Sequence, residues 1–492
     1  MTAQPVDVVN EEAFHVERHG IDHVPEGERW ARPASLIGLW SGAIVNFEIL
    51  VYGAVLMSFG VTFLQAVVII VVGNLSYLLL GLTSLQGPQA GTTTFVINRA
   101  AYGPNGGRLI ALFNWLTQVG FEAEGIFIIV LIGEALALKA GIHAGTGLKV
   151  FFILGAAAIQ LVLPLLGHAT IVKTLRVLLV PFVVLFVIMA VLTVNKVHVG
   201  SFSHGGASWQ VFLAGLAFII VTSGLGWTEN GNDYSRYLPP DVSKAKIVSY
   251  VTAATAIPSI LLMILGAAVA TYVPNAGANS GVTNFPHAFS SWFVIPFFVV
   301  AILQVFAINS LDLYSSGVTL QAIGLRLKRW QATLVDTVIC CGLTAYGVFD
   351  SSFNKLLTDF VDSVIIWIAP WTAIYLVDWA LRRFRYVPGE LQRTRNGLYW
   401  RSGGIHWPAV IAQVVGSFMT FTVLVAPYAT GWISQLTGTG YNQADFSVYM
   451  GLAVGGLTYL ALAWRSVRRE ADEQDRLLAA GRGGVAAERV NA

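Results

Sequence analysis

The stretch that decides the fold is residues 222–231, Thr-Ser-Gly-Leu-Gly-Trp-Thr-Glu-Asn-Gly, which ends an apolar segment beginning near residue 209. A related stretch, residues 38–48, Gly-Leu-Trp-Ser-Gly-Ala-Ile-Val-Asn-Phe-Glu, lies in the first apolar segment. Glycine and hydroxyl residues at mid-membrane depth permit a helix to unwind, which frees backbone carbonyls and amides for a ligand or an ion. The alternative is close packing of two helices through small residues. Because both segments carry the feature, we predict that both helices are broken.

The composition surrounding these stretches is that of a membrane protein. Of the 492 residues, 55% are hydrophobic and only 11% are charged, whereas a soluble domain carries about 25% charged residues. Apolar runs of about 20 residues span the hydrocarbon layer of a bilayer. We predict an all-α integral membrane protein with twelve transmembrane helices, at 34–58, 62–85, 108–138, 147–167, 173–194, 209–230, 246–273, 291–322, 331–349, 359–380, 406–430 and 445–465.

The basic residues orient these spans. If the N-terminus is cytoplasmic, nearly all of the 29 Lys and Arg residues fall in cytoplasmic segments, and the few on the other side are Lys139, Lys149, Lys196 and Lys355. Cytoplasmic loops of membrane proteins carry an excess of basic residues. The bias predicts a multi-pass protein of the cell membrane (inner or plasma membrane) with both termini in the cytoplasm.

The positions of the two interrupted segments predict the organisation of the chain. They would be the first helices of two successive five-helix units, and two such units must have opposite orientations because five is odd. This arrangement is typical of an inverted repeat with a site near the midplane. We predict a tail over 1–33, repeats over 34–194 and 209–380, a cytoplasmic loop over 381–405, spans eleven and twelve over 406–465, and a tail over 466–492.

The absence of certain motifs narrows the function. The chain has no Gly-rich phosphate loop of the Walker type, so an ATP-driven pump is disfavoured. The nine histidines lie in tails, loops or span ends, whereas a haem or an intramembrane metal site requires His or Cys pairs at mid-span. We expect no enzyme activity, no cofactor, no metal and no nucleic-acid partner. The chain is better explained as a secondary transporter in the lipid bilayer.

Acidic residues inside apolar segments mark the candidate site. A carboxylate at the bilayer centre costs about 2.5–3.5 kcal/mol on insertion scales, so it normally faces a cavity or a partner. Glu124 and Asp312 lie deepest in their spans, whereas Glu134, Glu229 and Asp233 lie close enough to span ends to reach water. We predict that Glu124 and Asp312 face a central cavity.

Several local strings resemble the purine–cytosine permease branch of the nucleobase–cation symporter family, which includes cytosine permeases and the hydantoin transporter. They run in the family's order from about residue 15 to 330, and the string after Gly226-Trp227 is the most specific. The strings are Gly20-Ile21-x-x-Val24-Pro25 with Arg32-Pro33 and Trp40, Gly87-Pro88-x-x-Gly91, Asn98-Arg99-x-x-Tyr102-Gly103, Asp233-Tyr234-Ser235-Arg236-Tyr237-Leu238-Pro239 and Asp312-Leu313-Tyr314-Ser315. The resemblance implies a leucine-transporter-type fold, five plus five helices with two extra.

The resemblance also implies a substrate site. The family holds a flat heterocycle between aromatic residues of the third and sixth helices, with polar anchors on the first, third and eighth. Here the aromatic positions are Phe121 and Trp227, and the third-helix amide of the family is replaced by Gly125. The eighth-helix asparagine is replaced by Asp312. The predicted substrate-binding residues are Trp227, Gly226, Phe121, Glu124, Gly125, Asp312, Ser41 and Asn46.

The predicted coupling ion follows from two further departures. Sodium-binding members place hydroxyl side chains where this chain has Phe306 and Ala307, so H+ is favoured over Na+, with Asp312 or Glu124 as the carrier. Asp233 and Arg236, three residues apart, are predicted to meet on one helical face at a cytoplasmic gate. The leading interpretation is proton-coupled import of a nucleobase or a related nitrogen heterocycle. The alternatives are a vitamin- or hydantoin-like substrate, which could be cationic, and an uncoupled facilitator or channel.

Overall fold

The computed structural model describes residues 20–143, 145–161, 168–200, 206–273, 276, 284–285, 288–325, 327–350, 353–426, 428–439 and 442–480. The helices of the first five predicted spans are Ser35–Ile44 with Phe47–Met57, Phe63–Asn74 with Tyr77–Thr83, Gly106–Lys139, Thr146–Gln160 and His168–Val194. Those of the next five are Trp209–Ile220 with Gly231–Ser235, Lys244–Ala270, Ser291–Ile323, Arg329–Asp350 and Phe353–Leu381. Spans eleven and twelve are Trp407–Thr422 and Ser447–Ala479.

Short elements connect these spans. A π-helical turn, Val221–Leu225, and a 3-10 turn, Thr228–Asn230, lie inside the sixth span, and two antiparallel strands pair after span eleven. The other short elements are the 3-10 turns Glu26–Glu28 and Ser434–Thr437, the helices Gly87–Ala90, Thr94–Ile97, Arg99–Tyr102 and Pro388–Gln392, and the strands Val425–Ala426 and Ala429–Thr430.

The helices account for every predicted span, and the all-α membrane fold is confirmed. Within the described residues, eight helices are long and apolar enough to cross a bilayer, and a bent pair in span one makes a ninth. The remaining predicted spans are the third, a 34-residue helix carrying three glutamates, and the shorter apolar helices of spans four and eleven.

The two predicted helix breaks are present. In span one the helices Ser35–Ile44 and Phe47–Met57 meet at an angle of 50°. In span six the backbone of Ser223 leaves helical geometry, with φ −114° and ψ −126°. The prediction from glycine and hydroxyl residues is therefore confirmed for both spans.

Several predicted boundaries are wrong. Span two is one helix as predicted, with an irregular turn between Asn74 and Tyr77, but it extends to Ala90 and so passes its predicted end at residue 85. Span eleven ends at Thr422 instead of reaching residue 430, and the chain then reverses through the two strands. Pro427 lies in that region of the sequence, and a proline disfavours helical geometry in the residue before it.

The described part of the N-terminal segment, predicted as a tail, packs against the bundle. Residues 1–19 lie outside the described part, but Val24 is fully buried and its backbone N–H donates to the Gly91 carbonyl at 2.8 Å. Arg29 is buried and donates through Nε to the Val24 carbonyl at 3.0 Å. The segment covers the end of the bundle where most basic residues lie, which we call the basic end.

Ion pairs hold the loop between spans ten and eleven against the same end. The Arg382 guanidinium is fully buried, with its Nε 2.8 Å from Asp378 and its Nη2 3.1 Å from Glu470 of span twelve. Arg401 of the loop forms a second pair with Glu470. Burial of Arg382 is tolerable because both carboxylates neutralise it. The loop is therefore a packed part of the bundle.

Close backbone contact fixes the second half of span one against span seven. A Cβ atom added at Gly53 would overlap the backbone carbonyl of Met263, and one added at Gly266 would overlap the carbonyl of Leu50. Small residues at a helix crossing allow this approach in membranes. The half-helix after the break is thus held in close backbone contact with span seven.

We predict that Gly53→Ala destabilises the protein by about 1–3 kcal/mol, because the methyl group forces the two backbones apart. The matched control is Gly317→Ala in span eight, where an added Cβ has no atom within 4 Å. Removing a helical glycine there should be neutral or stabilising by about 0.5–1 kcal/mol. Thermal denaturation of both detergent-purified variants measures the difference, and equal midpoints would contradict the packing account.

Candidate functional site

Side-chain amides satisfy the backbone at the break in span one. Asn46 accepts from the Ile49 N–H at 3.0 Å and donates to the Ala43 carbonyl at 2.7 Å. The Gln304 side chain of span eight donates to the carbonyl of Gly42. Because an unsatisfied backbone group is costly within a membrane, these amides stabilise the bend. Asn46, predicted to bind substrate, therefore holds the break instead of reaching into the cavity.

The break in span six depends on span two. The Gly224 N–H donates to the Ser76 hydroxyl at 3.0 Å, and the Ser223 hydroxyl donates to the Asn74 side chain at 3.1 Å. An added Cβ at Gly224 would overlap the backbone at Ser76 and Tyr77. The irregular turn of span two between Asn74 and Tyr77 therefore faces the predicted break of span six.

A narrow cavity of about 20 Å³ lies between the two breaks. Ligand pockets in proteins have volumes of roughly 300–1,000 Å³, so this cavity must widen to admit a planar heterocycle. Spans one, three, six and eight contribute the lining, which consists of Glu48, Ile49, Tyr52, Phe121, Val221, Thr222, Gly226, Trp227, Glu229, Asn230, Ile308 and Asp312.

Two aromatic side chains of the lining have supporting rings outside the cavity. Trp227 is edge-on to Trp40, with the ring centroids 5.8 Å apart, and Phe121 is edge-on to Phe360 at 4.9 Å. An added Cβ at Gly226 would overlap the backbone carbonyl of Val221, so the close backbone contact next to the break requires glycine at this position. Both rings are thus oriented by packing from behind, and flat faces of this kind can stack on a planar ligand.

Three carboxyl groups give the cavity its electrostatic character. Glu48 accepts a hydrogen bond from the Tyr52 hydroxyl at 2.9 Å, and Glu229 accepts one from the Gln118 amide at 3.2 Å. Asp312 is buried on span eight, 5% exposed. No Lys or Arg is among the lining residues that the structure describes. The cavity therefore favours a proton, a cation or a ligand rich in N–H groups.

Three other predicted site residues lie in the walls and do not line the cavity. Glu124 is buried next to Glu48 and Tyr52, close enough to interact with both, but it lines a different cavity. The Ser41 hydroxyl donates to the Ala254 carbonyl of span seven at 3.1 Å. A side chain at Gly125 would overlap Asn309 of span eight, so the glycine permits close contact between spans three and eight.

Comparison with known proteins now places the chain in a family. The model of a family described as permeases for cytosine/purines, uracil, thiamine and allantoin matches residues 23–444, which is most of the chain. The chain belongs to this permease family. It is therefore a multi-pass membrane transporter and not an enzyme.

Relatives of this permease match it along nearly its whole length. It is 28% identical over 473 residues to the putative purine-cytosine permease YxlA of Bacillus subtilis (strain 168), which covers 94% of this chain and 99% of that one. It is 24% identical over 472 residues to the purine-cytosine permease FCY21 of Saccharomyces cerevisiae, covering 90% and 85% of the two chains.

Solved structures show the same fold. Mhp1, a nucleobase-cation-symport-1 family transporter in a closed conformation with bromovinylhydantoin bound, superposes with a TM-score of 0.71 at 20% identity, over 93% of this chain and 99% of that one. A manganese transporter of Eremococcus coleocola superposes with a TM-score of 0.53 at 17% identity, over 92% and 97%. The predicted leucine-transporter-type arrangement is confirmed by the match to Mhp1.

The family strings of this permease converge below the cavity, at its basic end. Trp40 contacts both Trp227 and Tyr234 edge-on, and Tyr234 stacks on Tyr314 with centroids 5.8 Å apart. Arg236 donates to the Tyr314 hydroxyl at 2.7 Å and to the carbonyl of Gly20 at 2.6 Å. We call Trp40, Tyr234, Arg236, Tyr237 and Tyr314 the closing layer, because these buried side chains separate the cavity from the basic end.

Asp233 and Arg236 lie close enough to interact electrostatically, and Arg236 caps the short helix that carries Asp233 with helical geometry. Asp233 accepts the backbone N–H of Thr94 at 2.9 Å, while Arg236 donates to Gly20 and Tyr314. Their role as a gate pair stays a prediction. Both residues are fully packed at the basic end, but each stabilises a different partner.

Other cavity residues were missed or undervalued by the sequence analysis. Glu48, Tyr52 and Asn230 line the cavity, and Glu229, which was expected to reach water, is 1% exposed and lines it as well. The useful signal was the spacing: Glu48 follows the cap Asn46 by two residues and precedes Tyr52 by four, which is one helical turn. Gln118, which positions Glu229 and Asn230, carried no comparable signal.

We predict that Trp227→Ala weakens substrate binding by about 1–3 kcal/mol, because stacking of a base on an aromatic ring is worth that much elsewhere. Trp292→Ala is the matched control, since Trp292 is 64% exposed on the outer surface of the bundle. Binding of labelled compounds from the family's substrate range to purified protein measures the effect. Equal losses in both variants would remove Trp227 from the site.

Proposed function

We propose that this permease imports a planar nitrogen heterocycle of the nucleobase type by proton symport. The observation that carries the proposal is the cavity between the two broken spans, which combines two supported aromatic faces with three carboxyl groups. The names of the relatives, purine-cytosine permeases, support this substrate class. The distribution of basic residues supports a cell-membrane location with the basic end and both termini in the cytoplasm.

The substrate would lie with its ring between Trp227 and Phe121. Ring N–H and exocyclic amino groups would then donate to Asp312 and Glu48, since an ionised carboxylate only accepts hydrogen bonds. Asn230, whose side chain also faces the cavity, can both donate and accept. This pairing would discriminate strongly against analogues that lack the N–H groups, because the buried carboxylates would then be left without hydrogen-bond partners.

Near the break in span one, where a sodium ion would be expected to bind, the backbone carbonyls already accept hydrogen bonds from side-chain amides. The carbonyls of Gly42 and Ala43, which unwinding of span one exposes, receive N–H groups from Gln304 and Asn46. The facing positions Phe306 and Ala307 of span eight are buried and apolar. Sodium is a hard cation that needs several oxygen ligands, as Ca²⁺ and Mg²⁺ do. These contacts support protons as the coupling ion, with Asp312 and Glu124 as the proposed carriers.

A second candidate substrate is a vitamin- or hydantoin-like compound, which could be cationic. The specific observation that favours it is the presence of Glu48, Glu229 and Asp312 in a cavity whose described lining has no basic residue. Two of these carboxylates could then neutralise the substrate directly. The family description includes thiamine along with neutral bases, so uptake of both kinds of compound distinguishes the candidates.

We also infer that the permease works by alternating access, which would exclude a continuous pore. The closing layer blocks the cavity from the basic end in this conformation. Its opening must separate Arg236 from Tyr314 and from the Gly20 carbonyl. Hydrogen bonds from a charged group each contribute about 1.5–3 kcal/mol, so Arg236 would set how often the cytoplasmic side opens.

Arg236→Ala should shift the protein towards conformations open at the basic end and reduce accumulation of substrate. Hydrogen–deuterium exchange of residues 20–34 should rise, because the anchor at Gly20 is lost. Arg385→Ala is the control, since Arg385 is 64% exposed at the same end. If both variants show unchanged exchange and unchanged uptake, Arg236 has no gating function.

Asp312→Asn should abolish accumulation driven by a pH gradient while leaving substrate binding measurable, because an amide can still pair with the ring but cannot carry a proton. The measurement is uptake of labelled cytosine, uracil, hypoxanthine, allantoin and thiamine into proteoliposomes, with pH and sodium gradients imposed separately. Asp359→Asn, at an ion pair with Lys355 outside the cavity, should behave as the unmodified protein.

The outcomes separate the alternatives. Proton-driven accumulation that survives in Asp312→Asn would transfer the carrier role to another carboxyl group. Uptake by the unmodified protein that follows the sodium gradient and ignores pH would overturn proton coupling. Equilibration without accumulation under either gradient would indicate an uncoupled facilitator or channel.

A further inference from the structure

A cluster of three polar side chains lies in the wall between two cavities. Glu48 of span one lines the central cavity, and Glu124 of span three lines a second cavity bounded by spans three, nine and ten. Tyr52, one turn after Glu48, is close enough to interact with both carboxyl groups. Glu48 and Glu124 are each only 8% exposed, and Tyr52 is 3% exposed.

The cluster has too few hydrogen atoms for its acceptors. The Tyr52 hydroxyl has one hydrogen, and it is donated to Glu48 at 2.9 Å. Both carboxyl oxygens of Glu124 are buried without a hydrogen-bond donor among the described residues. A buried charge with no donor is costly, and two neighbouring carboxylates repel each other when both are ionised. One additional proton would remove both penalties.

The described residues that line the two cavities carry no positive charge that could balance Glu48 and Glu124. Asp312 of span eight and Glu229 of span six face the same region through the central cavity and add negative charge. Glu122, although two residues from Glu124, turns towards Cys340 of span nine, whose thiol lies 3.4 Å from it. Tyr346 is the titratable group on the span-nine side of the second cavity, and no Lys or Arg is among the described residues lining either cavity.

We propose that Glu48 and Glu124 share one proton, with the Tyr52 hydroxyl between them, and that this pair is a second proton site of the permease in addition to Asp312. The site deepens the proposed function and rests on it for its role in coupling. It takes H+ alone and needs no other ligand. Two carboxyl groups that share one proton are a known solution where both cannot ionise.

The geometry gives the proton a path between the two cavities. The Glu124 carboxyl group would release its proton to the Tyr52 oxygen while the Tyr52 hydrogen moves to the Glu48 carboxylate, so one O–H bond breaks for each that forms. Glu124 is then ionised and Glu48 is neutral beside the substrate. A neutral Glu48 can donate to a ring nitrogen or carbonyl of the substrate, which an ionised one cannot.

Infrared difference spectroscopy on the full-length protein at neutral pH tests the pair without using transport. The probe is the proton itself, seen as the C=O stretch of a neutral carboxylic acid. The spectrum of the unmodified protein minus that of Glu124→Gln should show this band. The same subtraction with Glu134→Gln should lack it, because Glu134 forms an ion pair with Lys149 at 3.1 Å.

Tyr52→Phe keeps both carboxyl groups and is the second variant, in case Glu124→Gln fails to fold. Loss of the hydroxyl should shift the frequency of the band without removing it. The absence of a carboxylic-acid band in the Glu124→Gln difference, or an unshifted band in Tyr52→Phe, would each overturn the shared proton.

The transport assay distinguishes this failure from failure of the proposed function. If the unmodified protein accumulates a base on a pH gradient but lacks the infrared band, only the Glu48–Glu124 site is wrong. If the band is present but no tested heterocycle is driven by the gradient, proton symport is wrong while the shared proton stands.

Discussion

The structure depends on how the backbone is satisfied where spans one and six unwind. Within a bilayer, carbonyl and amide groups released from a helix must find partners in the protein. Asn46 and Gln304 supply them at Ala43 and Gly42, and Ser76 of span two supplies one at Gly224. These contacts are made by residues of spans two and eight as well as span one. The breaks therefore tie together helices that are distant in the sequence.

The site follows from that constraint. Because each break is closed by protein side chains, it needs no bound ion to persist, and the side chains next to it are held in fixed positions. Glu48 begins the half-helix after the first break, where the helix dipole favours a negative charge, and Trp227 follows the second break. The same arrangement places Trp40 and Tyr234 below the cavity, so Trp227 of the cavity lining touches the closing layer directly through Trp40.

Local sequence signals predicted the breaks, because the glycines act where they stand in the chain, whereas the aromatic positions Phe121 and Trp227 were predicted from the family resemblance. Local signals did not predict which side chains form the walls around the central cavity. Whether Glu124 faces the central cavity or the neighbouring one depends on how spans three and eight pack at Gly125 and Asn309, which is tertiary information. The contact between Ser76 and Gly224 was missed for the same reason, since the two residues are 148 positions apart in the chain. Asp233 was expected to reach water but is 1% exposed, because it accepts a hydrogen bond from the backbone of Thr94.

The central claim is that movement of a planar heterocycle through this cavity is obligatorily linked to movement of protons. The most direct measurement is the internal pH of sodium-free proteoliposomes, followed with a trapped indicator while cytosine, uracil, hypoxanthine, allantoin or thiamine is added outside. The account predicts that at least one compound acidifies the interior and that empty liposomes show no change. Entry of a labelled compound with no change in internal pH would contradict it.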